Sequence, residues 1–286
     1  MTGAVATVVT DPDEIGSLVR AARRAGRRVG FVPTMGALHE GHASLAAAAA
    51  CACDDVVVSI FVNPTQFGPH EDFARYPRTL EADRRLLTRH NARWVFTPAV
   101  EAVYPAGHAT RIVVDGPALD FEGAIRPGHF SGVATVVHRL FQLVPAEIAY
   151  FGAKDWQQTL VVRRMVADLG LPIVIDVLPT VREPDGLALS SRNTYLSPDE
   201  RRRAVGLHRA LEGAERSWFE GGSVEAIAAE MRRTIETHGI VVDYAAVVDP
   251  QSLRPLDAPT GPAVALVAGR LGGTRLIDNR LLDRRR

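Results

Sequence analysis

Residues 32–45 read Val32-Pro33-Thr34-Met35-Gly36-Ala37-Leu38-His39-Glu40-Gly41-His42-Ala43-Ser44-Leu45, and the rest of the chain is organised around them. The apolar run 29–32 has the composition of a short buried strand, expected to stop at Pro33. Gly36 and Gly41 permit a tight turn and close approach of backbone to a ligand, and an Ala-rich helix follows. His39 and His42 stand at the start of that helix, so their imidazoles share a face where unpaired backbone N–H groups already favour an anion. One histidine at such a place commonly serves a neighbouring carbonyl, whereas a pair in a strand, turn and helix setting points to phosphate.

At 286 residues the chain can bury a large core, and its length suggests two domains. Its 33 basic and 33 acidic residues cancel, so no general field draws nucleic acid or an anionic membrane, and any phosphate site must be local. The basic end at 280–286 reads as a solvated tail. Cys51 and Cys53 would point to different sides of a helix, so no disulfide is expected between them, and they lack the second pair a zinc site needs; they read as small buried thiols in a reducing compartment. The longest apolar run, 45–53, is too short to cross a bilayer, and no secretory leader precedes it, so the cytoplasm is the expected location.

Along the chain, Asp11 and Pro12 mark a helix start, with Ile15, Leu18, Val19 and Ala22 as its apolar stripe. Strands are expected at 56–62, 94–96, 111–114, 148–151 and 173–178. Helices are expected at 80–90, 133–143 and 156–169. Short apolar strands alternating with helices predict a parallel, Rossmann-like sheet with helices on both faces, and ligands in such sheets bind beyond the carboxyl ends of the strands. The polar clusters 34–42, 63–66, 152–155 and 182–192 each follow a strand, so they are expected to line one site. Beyond residue 180 the pattern changes to a helix over 197–219, a second over 224–238, and strands at 241–248, 263–268 and 274–277. The reading is a nucleotide-binding domain over 1–180 and a smaller C-terminal α+β lid domain over 181–286.

Lys154 is the sole lysine, and every other basic residue is arginine. A compact ammonium directly after a strand suits either a point charge on phosphate or a place too small for a guanidinium. Ser190, Ser191 and Arg192 offer two hydroxyls and a guanidinium to a polyphosphate, although such a sequence also describes an ordinary surface turn. Gln66 and Gln158 are neutral two-ended hydrogen-bonding groups suited to a hydroxy acid. Asp83, placed on the exposed face of the helix after a capping Thr79, reads either as a magnesium ligand or as a solvated charge. No Ser/His/Asp relay, dinucleotide glycine fingerprint or Walker lysine loop is present. What remains suits nucleotidyl transfer, which relies on positioning and charge stabilisation.

These residues resemble the pantothenate synthetase (pantoate–β-alanine ligase) family, whose His-x-Gly-His motif matches 39–42. Further matches are 59–67, 71–79, 126–130, 151–158 and 185–193, in order and at family-like spacing. The resemblance implies ATP-driven condensation of (R)-pantoate with β-alanine through an enzyme-bound pantoyl adenylate. It assigns ATP to Met35, Gly36, Ala37, Leu38, His39, Glu40, Gly41 and His42, to Gly152, Ala153, Lys154 and Asp155, and to Val181, Leu189, Ser190, Ser191 and Arg192. His42 would be catalytic, with His39, Lys154, Ser190, Ser191 and Arg192 beside it on the phosphates. Gln66, Gln158, Asn63, Tyr76 and Arg126 would hold pantoate and β-alanine, and Asp83 would meet magnesium. A cytoplasmic homodimer formed through the larger domain is implied as well. Leu189, Ala153, Trp156 and Ala82 depart from common forms of the motifs, Ala82 weakening the metal assignment most.

Overall fold

The computed structural model describes residues 5–69, 71–256 and 258–283, so 284–286 of the expected basic tail lie outside the described residues. Contacts divide the chain into two compact units, residues 1–153 with 157–179, and residues 154–156 with 180–286.

The first unit is built on β1 (Thr7–Val9), α1 (Pro12–Arg24), β2 (Val29–Thr34), α2 (Glu40–Ala52), β3 (Asp55–Ile60), α3 (Leu80–Arg89) and β4 (Trp94–Phe96). It continues through the short α4 (Val100–Val103) and α5 (Glu122–Ile125), then α6 (His129–Leu143), β5 (Ile148–Gly152), most of α7 (Trp156–Asp168) and β6 (Val174–Leu178). The six strands form one parallel sheet in the order β1-β4-β3-β2-β5-β6. Alternation along each strand sorts the side chains onto two covered faces. Val29, Phe31, Val57 and Ala149 pack under Ile15 and Val19 of α1, Val133 and Val137 of α6, and Met165 of α7. Val32, Val56, Val58 and Tyr150 pack under Leu45 and Ala46 of α2 and Leu87 of α3.

Strand order reverses at β2: the chain runs outward through β3 and β4, then returns to place β5 on the other side. The ends of β2 and β5 therefore flank a crevice, the usual ligand position in an open parallel sheet.

Several local expectations need correction. β2 continues through Pro33 to Thr34. Its pairing with β5 covers only Gly30 and Phe31, so the missing Pro33 N–H breaks no ladder bond there. The strand expected at 111–114 does not form; Ile112 N–H bonds the Thr135 hydroxyl, and Ile112 and Val114 pack on the core while Val113 faces out. Alternating apolar residues need a neighbouring strand, and none lies beside them. Cys51, in the last turn of α2, is exposed, and Cys53, at its C-cap, is half-buried with Sγ 3.5 Å from the Tyr150 hydroxyl.

The second unit contains α8 (Pro198–Ala204), α9 (Gly206–Phe219), α10 (Val224–Thr237) and an antiparallel sheet of β7 (Val241–Val248), β8 (Ala263–Leu271) and β9 (Thr274–Leu282). The helix expected over 197–219 is interrupted at Val205, where Gly206 lies so close to the His238 ring that a Cβ would stand 2.6 Å from its Cγ. β9 extends to Leu282, so Arg280 is not part of a frayed tail; it pairs with Glu215 at 2.7 Å. Leu207, Leu211, Ile227, Met231 and Ile235 pack against Ala265 and Val267 in a separate core.

Candidate active site

The turn after β2 carries two consecutive residues in the left-handed region, Gly36 at φ +83° and Ala37 at φ +50°. Glycine is required at the first, since a Cβ there would approach Ile60 Cγ2 to 2.9 Å. The turn delivers His39 to the N-cap of α2. Its Nδ1 accepts from the Gly41 N–H at 3.1 Å, and His42 Nδ1 accepts from the His39 N–H at 3.4 Å. The rings lie 4.2 Å apart. A ring nitrogen that accepts carries no hydrogen, so both imidazoles are set as Nε2–H tautomers. Two imidazole donors and the positive end of a helix thus stand together at the switch point.

Asp83 does not lie on an exposed face. Its carboxylate is buried to 2% exposure and turned onto this same turn, accepting from Ala37 N–H at 3.0 Å, Leu38 N–H at 2.9 Å and the Thr79 hydroxyl at 3.0 Å. The Thr79 side chain makes no capping bond to the backbone of α3. Helical position alone suggested exposure, but the face carrying Asp83 is covered by the turn after β2.

Beyond β3, Asn63 Nδ2 donates to Gln66 Oε1 at 3.1 Å and to the Gly132 carbonyl at 3.2 Å. Gln66 Nε2 reaches Met35 Sδ at 3.2 Å, so this second loop is joined to the end of β2. Tyr76 is buried against the Phe67 ring. Arg126 directs its guanidinium at protein groups: both Glu71 oxygens, at 2.6 and 2.7 Å, His129 Nε2 at 3.0 Å and the Gln66 carbonyl at 3.4 Å. Because His129 Nε2 accepts, Nδ1 carries the hydrogen and donates to the same Gln66 carbonyl at 2.9 Å. Burial, helped by the charge of Arg126, pushes the His129 pKa down to about 4, so the ring is neutral. For Glu71, burial opposes ionisation, but hydrogen bonds and charge from Arg126 outweigh it and hold the carboxyl below its ordinary range.

Sequence reading found Arg126 but not its partners Glu71 and His129, although both fall within the family-like motifs. It also missed Gln157, whose buried amide accepts from Glu122 N–H and donates to the carbonyls of Pro117 and Asp120, securing residues 117–122. Gln158 beside it is half-buried.

Gly152 ends β5 and Ala153 follows it in the first unit, whereas Lys154, Asp155 and Trp156 belong to the second. Asn279 Nδ2 donates to the Lys154 carbonyl at 2.8 Å, and the Trp156 indole donates to the Pro250 carbonyl at 3.0 Å. The Lys154 ammonium lies 3.9 Å from Asp155 Oδ1. Within this unit the strand-like pairing of Arg182 with Ala188 and the Leu189 N–H bond to the Val181 carbonyl make 181–189 a small hairpin. Val181 and Leu189 are therefore partners at its open end. Arg182 clamps Asp278 through two bonds of 2.7 and 3.0 Å, and Arg201 does the same to Asp185 at the hairpin tip. Ser190 Oγ accepts from Arg192 N–H, opening a short 3₁₀ turn over Ser191–Tyr195. Among the described residues no group of three or more His, Cys, Asp or Glu is placed to hold a metal ion, and no helix is long and apolar enough to cross a membrane.

The family model for pantoate–β-alanine ligase matches residues 7–281, which takes in both units. The chain belongs to the pantoate–β-alanine ligase family. The pantothenate synthetase of Moorella thermoacetica is 52% identical over 275 residues, spanning 94% of this chain and 96% of that protein. The crystal structure of pantothenate synthetase from Thermus thermophilus superposes with a TM-score of 0.92 at 49% identity, covering 97% and 99% of the two chains. That of the pantoate–β-alanine ligase from Francisella tularensis, complexed with βγ-ATP and β-alanine, gives 0.82 at 34% identity, covering 97% and 98%. Family membership makes this chain a ligase, and the two-unit α/β and α+β architecture is that of its solved relatives.

Proposed function

We propose that this protein condenses (R)-pantoate with β-alanine, using ATP and releasing AMP and pyrophosphate. The observation that carries the reading is the His39/His42 pair, fixed as Nε2–H donors on the N-terminus of α2 at the sheet's switch point, in a chain of this family. In the first step a pantoate carboxylate oxygen bonds to the α-phosphorus of ATP as the bond to pyrophosphate breaks. No protein nucleophile is needed, only in-line placement and donors for the departing charge. In the second, the uncharged amine of β-alanine attacks the acyl carbon, the bond to AMP breaks, and the amine loses a proton.

Residues 35–42, with Gly152, Ala153, Lys154, Asp155, Val181 and Leu189 to Arg192, are assigned to ATP, His42 and His39 acting on its phosphates together with Lys154, Ser190, Ser191 and Arg192. Gln66, Gln158 and Asn63 are assigned to pantoate and β-alanine. Tyr76 and Arg126, covered or engaged within the protein, serve that part of the site through the loop they hold. Bidentate pairing with Glu71 makes Arg126 the member that orients Gln66. Asp83 does not fit an ion held by the protein, because its oxygens accept hydrogen bonds from the turn; magnesium is placed with the nucleotide's phosphates. The family resemblance also supports a cytoplasmic homodimer joined through the larger unit, which sedimentation would test.

Pyrophosphate exchange into ATP, measured with a panel of hydroxy acids, tests the function. Exchange should require pantoate, and adding β-alanine should yield pantothenate. Exchange indifferent to pantoate, or faster with another acid, would assign the site to a different adenylate-forming reaction.

A further inference from the structure

We infer that Asp83 is a positioning residue, which fixes residues 36–38 in the backbone path that presents His39 and His42, and is not a magnesium ligand. The inference rests on the reading that those two histidines hold ATP. Three observations support it. The carboxylate is 2% exposed and accepts from two successive backbone N–H groups, of Ala37 and Leu38, through different oxygens at 3.0 and 2.9 Å. Those N–H groups belong to the segment that leaves the left-handed region, where Ala37 sits at φ +50° despite having a side chain. An L-residue holds that conformation only where its surroundings fix it, and here a buried carboxylate bridges the two amides. Finally, Gly36 packs closely on the carboxylate: a Cβ there would lie 3.2 Å from Asp83 Oδ2, so the turn can follow this path against Asp83 only with glycine at its first left-handed position. The bonds from Ala37, Leu38 and Thr79 fill three of the carboxylate's four acceptor positions, which leaves a cation at most one position, on Oδ2.

The Thr79 hydroxyl supplies the third bond, donating to Asp83 Oδ1 at 3.0 Å. It aims the carboxylate without touching the turn, so Thr79 gives a milder test of the same device.

The experiment compares Asp83→Asn and Thr79→Val with the parent protein in two measurements: ATP binding by titration calorimetry in EDTA, and the magnesium midpoint of pantoate-dependent pyrophosphate exchange. An Asn amide would set an N–H donor against one of the turn's own N–H groups. Asp83→Asn should therefore weaken metal-free ATP binding about tenfold and raise the KM for ATP, while the magnesium midpoint stays in place. Thr79→Val should move the same quantities in the same direction by about twofold to fivefold. Unchanged binding in EDTA with a midpoint shifted to higher magnesium would overturn the inference and make Asp83 a metal ligand. Should Asp83→Asn fail to fold, Thr79→Val decides alone: no change in metal-free binding rejects the positioning role. Failure of the parent protein to bind ATP or to exchange with pantoate would count against the proposed function, independently of Asp83.

Discussion

In the proposed reaction His42 and Lys154 are given different tasks, and their variants should fail differently. His42 presents Nε2–H because its Nδ1 is held by the His39 N–H. His42→Ala removes one bond of the helix cap and, in the proposed reaction, a donor to the departing pyrophosphate. Exchange should fall on the order of a hundredfold or more, read from initial rates at saturating ATP. His42→Asn, which can keep an acceptor near the Nδ1 position, should preserve the melting temperature better than His42→Ala while remaining slow. Lys154→Arg tests whether size or charge matters. A guanidinium is larger and planar, so turnover should drop about tenfold or more if the compact ammonium is needed. Full activity would make the lone lysine accidental. At this scale residue type limits chemistry, so the sequence alone names His39, His42, Lys154 and the Ser-Ser-Arg run as candidates. Asp83 was misplaced because a helical position states which way a side chain points and not what covers that face.

Gln66 and Glu71, in the segment after β3, are held by one cluster: Arg126 pairs with Glu71, and Arg126 and His129 both donate to the Gln66 carbonyl. Arg126→Lys cannot reproduce the two-pronged pairing with Glu71, so it should raise the KM for pantoate severalfold with a smaller effect on that for ATP, measured by steady-state kinetics. The same cluster responds to acid. The unfolded chain takes up the His129 proton near the ordinary value of 6.5, whereas the fold keeps the ring neutral until about 4. Stability is therefore complete above pH 6.5 and is lost as pH falls towards 4, by about 3 kcal/mol. Glu71, held below the ordinary carboxyl value of 4.5, extends the loss in the same direction as its pH range is reached. Urea unfolding followed from pH 7 to pH 4.5 should show this decline, and His129→Asn should flatten it. Periodicity revealed most strands and helices here because each buries a continuous face. It failed at 111–114, where an apolar alternation packs on the core with no strand among the described residues to pair with, and it could not show that Gln157 ties residues 117–122 to α7.

At the scale of the molecule, two cores form separately: the doubly covered parallel sheet and the three-stranded sheet under α9 and α10. The change of pattern near residue 180 was visible in the sequence. The attachment of Lys154 was not, because it depends on Asn279 and Pro250, about a hundred residues further on. Asn279→Ala frees the Lys154 carbonyl, and pyrophosphate exchange should slow severalfold while the melting temperature falls only slightly, as scanning calorimetry would record. The short segment Lys154–Trp156 also has a genetic consequence. A gene divided at codon 180 does not yield two self-sufficient products, since the first would carry away the peptide to which Asn279 and Pro250 are bonded. Pieces nicked at that point after folding should stay joined on a sizing column, whereas the later piece, made by itself, should lack the peptide that Asn279 and Pro250 hold.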